Sequence, residues 1–170
     1  MKKIILLISL LLMISCSEEN DERLLKAKAN LNKGAYESAR LNLEKVIKND
    51  STNYEAFVLM GRLEFAMDNL KESLVYYDIA LEINPDYVAA YKERAKSYRM
   101  LGLLDKSIND LSSIINIYHD DGFIFLERAN VFFEKGDMDS ACRDWTKANE
   151  LGIGEAKRIY QKFCQEMEIQ

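Results

Sequence analysis

The chain has 170 residues, 48% of them hydrophobic, and its 23 Lys and Arg face 28 Asp and Glu for a net charge of −5. That is apolar material enough for a core, while the acidic balance without a basic run excludes a nucleic-acid footprint. With one histidine and three cysteines a metal centre is not expected, because a site on Cys142 and Cys164 would need further ligands and His119 lies far along the chain.

The N-terminus is built differently from the rest. Lys2 and Lys3 precede an apolar run from Ile4 to Ile14, followed by Ser15-Cys16. This is the layout of an export signal, and the run is too short to span a bilayer as a permanent helix. Leu12-Met13-Ile14-Ser15-Cys16 resembles a bacterial lipoprotein signal, with Met13 where leucine is usual. The resemblance implies removal of residues 1–15, lipidation of Cys16 as the first mature residue, and a lipid-anchored place in the cell envelope at the outer membrane, on its periplasmic or surface face. The residues alone also allow a secreted protein with an incidental Cys16, or an uncleaved anchor. Residues 16–21 read as an acidic tether. Without Lys2 and Lys3, 21 basic residues face 28 acidic ones, so the mature charge is −7.

From about Asn20 onward a pattern of side-chain size recurs every 34 residues, in copies starting at Asn20, Tyr54, Val88 and Gly122. The eighth position is small (Ala27, Gly61, Ala95, Ala129), and so is the twentieth (Ala39, Ser73, Ser107, Ala141), as close helix crossing requires. Large residues complement them: Phe57, Tyr91 and Phe125 at the fourth position, and Leu43, Tyr77, Leu111 and Trp145 at the twenty-fourth. Turns at Gly34-Ala35-Tyr36, Asp68-Asn69-Leu70, Gly102-Leu103-Leu104 and Gly136-Asp137-Met138 separate two helices in each copy. The lone proline, Pro85, stands at the boundary between copies two and three. The pattern predicts helices over 22–33 and 36–48, 54–67 and 70–83, 88–100 and 104–117, and 122–134 and 138–149. A last helix, 153–167, carries Ala156, Ile159, Tyr160, Phe163 and Met167 on one stripe and covers the end of the array.

These in-phase copies, and the ending Leu81-Glu82-Ile83-Asn84-Pro85, resemble tetratricopeptide repeats (TPRs), with copy one departing most through Arg23 and Lys26. The resemblance covers residues 22–170. It implies an all-α fold, a right-handed superhelical solenoid of four helix hairpins with a C-terminal capping helix, forming one continuous array. It also implies a non-catalytic scaffold that binds protein or extended peptide in a concave groove lined by the first helix of each pair.

Carried onto this chain, the groove positions include Arg62 and Phe65 in copy two, Lys92, Lys96 and Arg99 in copy three, and Phe123, Leu126, Asn130 and Phe133 in copy four. The basic residues of copy three fall on one helical face, with Arg62 expected to approach from the preceding repeat. A positive stripe beside an apolar row suits a peptide with an acidic or C-terminal carboxylate end. The bland alternative pairs the lysines locally, through Glu93 for example, and packs the phenylalanines against neighbouring helices. A permanent structural subunit of an envelope complex is the second functional class open.

Cys142 and Cys164 lie at comparable heights on two helices joined by Leu151-Gly152-Ile153-Gly154, so they form either a disulfide or two separately buried thiols. Catalytic residues, cofactors and metal ligands are not expected. Ser73 and Ser107 are explained by size, His119 has no acid or base beside it, and Asp120-Asp121 and Asp137-Met138-Asp139 sit where carboxylates offset helix-start amides. Exchanging Cys16 for serine is expected to release the protein from the membrane fraction or leave the signal uncut. Unchanged processing and membrane retention of that variant would reject the lipid anchor.

Overall fold

The computed structural model describes residues 18–165, so the signal, Cys16 and Met167 lie outside the described residues. All regular structure among the described residues is helical. It comprises α1 (18–32), α2 (Tyr36–Asn49), α3 (Tyr54–Ala66), α4 (Leu70–Ile83), α5 (Val88–Met100), α6 (Leu104–Ile117), α7 (Gly122–Lys135), α8 (Met138–Glu150) and α9 (Gly154–Phe163). Interior boundaries match the repeat reading to within a residue or so.

The ends differ. Glu18 to Asp21, expected in a tether, already belong to α1. Ion pairs four residues apart, Glu19 with Arg23 and Glu22 with Lys26, support that first stretch, and buried Asn20 accepts a 3.1 Å hydrogen bond from Asn49. At the other end, α9 stops at Phe163 rather than 167. The array also divides, between Pro85 and Asp86, into two compact units. In stacked repeats each hairpin packs only on its neighbours, so a repeat boundary is where such a division falls.

In the first unit, Leu24 and Ala27 of α1 pack with Leu43 and Val46 of α2 and with Ala56, Leu59 and Met60 of α3. The crossing of α3 and α4 depends on Gly61. A Cβ there would stand 2.4 Å from Cε1 of Tyr77, whose ring is fully buried and has nowhere to move. Asn53 caps α3 by accepting from the Ala56 amide at 3.0 Å, and Arg40 of α2 reaches buried Glu64 of α3 at 2.6 Å.

The second unit repeats the scheme. Ala95, Leu111, Ile114, Ile124 and Val131 form one core cluster. A second, around Trp145, contains Phe125, Leu126, Ala129, Ala141, Ala156 and Cys164. Two buried ion pairs pin first helix to second in copies three and four: Arg94 donates to both oxygens of Asp110 at 2.8 and 2.7 Å, and Arg128 to both of Asp144 at 2.7 and 2.9 Å. Arg128 also reaches the Ser112 hydroxyl at 2.9 Å. Asp121 and Asp137 cap α7 and α8, accepting from the amides of Phe123 at 3.0 Å and Ser140 at 3.1 Å. Gly122 admits the cap turn, since a Cβ there would meet Ile153 at 2.7 Å. A Cys142–Cys164 disulfide ties α8 to the end of α9, their Cα atoms 5.8 Å apart. Closing a loop of this size removes freedom from the unfolded chain worth roughly 2–4 kcal/mol.

The turns inside the hairpins obey one rule. Gly34, Gly102 and Gly136 have φ of 71°, 72° and 85°, and Asp68, at the equivalent place in copy two, has φ 64°. The left-handed residue there is Asp68; Asn69 beside it has φ −85° and is the N-cap residue just before α4.

Gly61→Leu is expected to cost about 3 kcal/mol or more because the crossing cannot open locally. Gly34→Asn has open space and a residue tolerant of positive φ, so it should stay within about 0.5 kcal/mol of the parent. Urea denaturation of both variants is the check, and equal losses would contradict the crossing geometry.

Candidate functional site

A helix that packs one face leaves the opposite face to solvent, and on α5 Ala90, Ala95 and Ser97 are buried while Lys96 and Arg99 are exposed. Beside this face α5, α6 and α7 enclose a cavity of about 280 Å³ lined by Lys92, Lys96 and Arg99, with Ala95, Leu111 and Val131 as apolar walls. Ser107 and Glu127 complete the lining. The three basic residues singled out on α5 therefore meet at one concavity of the second unit.

Their charge is not free, and the Lys96–Glu93 contact is the local pairing that the alternative reading expected. Arg99 donates from Nε to both carboxylate oxygens of Glu134, at 3.0 and 2.8 Å, and its terminal nitrogen bonds the same group. Lys96 Nζ lies 3.2 Å from Glu93, and Lys92 Nζ lies 3.7 Å from Glu127. The Lys92 contact exceeds hydrogen-bond length, and the Lys96 pair joins neighbours three apart on one exposed helix face, so both ammonium groups keep donors to offer. Hydrogen bonding from Arg99 holds the Glu134 carboxyl below the ordinary glutamate range, and Glu134 in turn raises the Arg99 guanidinium.

The expected apolar row does not line this cavity. Leu126 is 7% exposed and sits in the core cluster with Ala129 and Trp145, so it offers no contact surface. The helical count that placed it on the groove put it on the side that α8 covers. Phe133 is 39% exposed, but its ring lies 5.6 Å from Trp145 and 5.0 Å from Phe163, in an aromatic cluster with the cap. Asn130 accepts a 3.2 Å hydrogen bond from the Trp145 indole, so its carbonyl orients a core side chain. Phe123 is 62% exposed and lines a different concavity, of about 620 Å³, with Ile117, Tyr118, His119, Leu151 and Ile153. Arg62 is exposed and Phe65 half-buried on α3, in the first unit.

Sequence reasoning missed Glu127 and Glu134, the carboxylates that meet Lys92 and Arg99. Each stands 35 residues beyond its partner, one repeat plus one residue, a signal that was there to read. It also missed the Arg94–Asp110 and Arg128–Asp144 pairs, which repeat at the 34-residue period itself.

No protein-family profile matches the chain. It is 37% identical over 87 residues, 51% of its length, to a TPR repeat-containing protein of Methanocaldococcus jannaschii. The chain spans only 12% to 26% of the length of the curated relatives it matches. Among solved structures it superimposes on MamA with a TM-score of 0.72 and 25% identity, covering 81% of each chain. It also superimposes on YrrB, described as a TPR protein with an unusual peptide-binding site, with a TM-score of 0.69 and 18% identity over 80% of this chain and 71% of that one. The chain is TPR-like: all-α, and built of the helix hairpins found in those solenoids.

The lowered Glu134 pKa fixes the sign of a pH effect. The stabilisation from its pair with Arg99 is complete above the ordinary carboxylate range and is lost as pH falls through the lowered folded-state value. NMR titration of the Glu134 carboxyl should give a midpoint below that of an exposed glutamate, returning to the ordinary value in Arg99→Gln. A midpoint that Arg99→Gln leaves in place would show that the pair does not form in solution.

Proposed function

We propose that this protein is a non-catalytic scaffold of the bacterial envelope, tethered by a lipid on Cys16, that holds a protein segment or extended peptide against the α5–α7 face. The carrying observation is the meeting of Lys92, Lys96 and Arg99 at one concavity, on a helix whose opposite face is buried. Their partners are glutamates at the surface, and exposed ion pairs contribute only about 0–1 kcal/mol each. Exchanging such partners for those of a ligand therefore costs the fold little, and the ligand gains desolvated, charge-assisted hydrogen bonds. The TPR-like fold and the peptide-binding description of YrrB support the same reading.

A second reading, a permanent subunit of an envelope complex, is supported by exposed Ile117, Tyr118 and Phe123 around the larger concavity. Apolar patches of this kind mark obligate contacts more often than transient ones.

Affinity capture from solubilised envelopes separates the two. Replacing Lys92, Lys96 and Arg99 together with glutamine should lower partner recovery at least about tenfold, with a melting temperature close to the parent's because the lost pairs are exposed. The permanent-subunit reading predicts unchanged recovery from that variant and loss on Phe123→Ser. Recovery unaffected by the triple glutamine variant would reject the α5–α7 face as the binding surface.

A further inference from the structure

Ser107 stands where two helices cross closely, and smallness is all that packing asks of it: Ala39 and Ala141 fill the same place in copies one and four. Copy two has a serine there as well, but Ser73 spends its hydroxyl on the Leu70 carbonyl at 2.7 Å. Ser107 does not. Its side chain is 1% exposed and its Oγ has no hydrogen-bond partner, although it lines the cavity below Lys92, Lys96 and Arg99. A buried hydroxyl left unsatisfied costs free energy that alanine would spare, so packing alone does not account for it.

Size and donor count indicate what fits the cavity that Ser107 helps to line. At about 280 Å³ the cavity falls below the roughly 300–1,000 Å³ of small-molecule sites and suits a single side chain. The methyl and branched groups of Ala95, Leu111 and Val131 fit an aliphatic stem. The polar lining itself carries three cations and a hydroxyl against one carboxylate, Glu127, while Glu93 and Glu134, which pair with Lys96 and Arg99, stand outside it, so donors outnumber acceptors within the cavity. We propose that this cavity is a pocket for an acidic side chain of a bound protein segment, its carboxylate accepting from the Ser107 hydroxyl at the floor and from the ammonium groups of Lys92 and Lys96 at the rim. The inference rests on the scaffold reading for its partner, and it adds a residue of the second helix, Ser107, that reads acidity.

The test titrates three capped alanine pentapeptides into the full mature chain, labelled with nitrogen-15. One carries a central glutamate and an amidated end, one a central glutamine and an amidated end, and one only alanines and a free C-terminal carboxylate. The glutamate peptide should shift the amides of Lys92, Ala95, Lys96 and Val131 saturably, binding at least about tenfold more tightly than the glutamine peptide. Ser107→Ala, which keeps the packing of copies one and four, should weaken the glutamate peptide about three- to tenfold and leave the melting temperature unchanged or raised. Equal binding of the glutamate and glutamine peptides, or wild-type affinity in Ser107→Ala, would overturn the pocket. So would binding of the free C-terminus alone, which would make the site one for chain ends. A failed scaffold is told apart by capture. If the parent recovers a partner that Ser107→Ala holds equally well, the pocket falls and the scaffold stands. If the parent recovers none, the scaffold falls and the peptide titration still judges the pocket.

Discussion

Close approach of paired helices is the constraint from which the rest follows. It is clearest at Gly61, where the Tyr77 ring occupies the space that a Cβ would need. The equivalent small positions Ala95, Ser107, Ala129 and Ala141 are likewise buried. Once these positions are set, the rotation of every helix about its axis is set too, because side chains on a helix cannot slide independently of one another. Which residues of α5 face solvent is thus decided by Ala95 and Ser97, which face inward.

Charge is then used in two ways that burial distinguishes. Asp110 and Asp144 are nearly buried, and each is gripped through both oxygens by an arginine of the preceding helix. Removing one partner of such a pair strands a charge away from water, so these pairs specify how the two helices meet. The pairs of Lys92, Lys96 and Arg99 with surface glutamates remain half open to solvent and are individually weak. A scaffold built this way separates a rigid ionic frame from a rearrangeable ionic surface within a few residues of one helix: Arg94 belongs to the first and its neighbours Lys92 and Lys96 to the second.

The C-terminal end shows a third device. A terminal repeat leaves an apolar face with no next repeat to cover it, and α9 covers that of copy four with Ala156, Tyr160 and Phe163. The disulfide and the Trp145–Phe163 ring contact, with centroids 6.1 Å apart, hold a helix only ten residues long that would be marginal in isolation. Phe133 and Asn130 are drawn into the same arrangement, which is why two residues expected to meet a ligand serve the core instead.

The 34-residue period determined the helices, their turns, the small and large partners at each crossing and the capping role of the last helix. All of these depend on spacing along one chain, and spacing is what a sequence displays. The placement of Lys92, Lys96 and Arg99 on one face was legible for the same reason. Only the tertiary structure decided what stands opposite them: Glu127 and Glu134 come from the next repeat, and Leu126 turns inward toward α8 although its neighbour Phe123 is exposed. It also decided that the Ser107 hydroxyl, unlike that of Ser73, finds no backbone carbonyl. Periodicity tells which face of a helix a residue occupies. The neighbours covering that face, and the polar atoms they leave unmatched, depend on how separate segments meet in space.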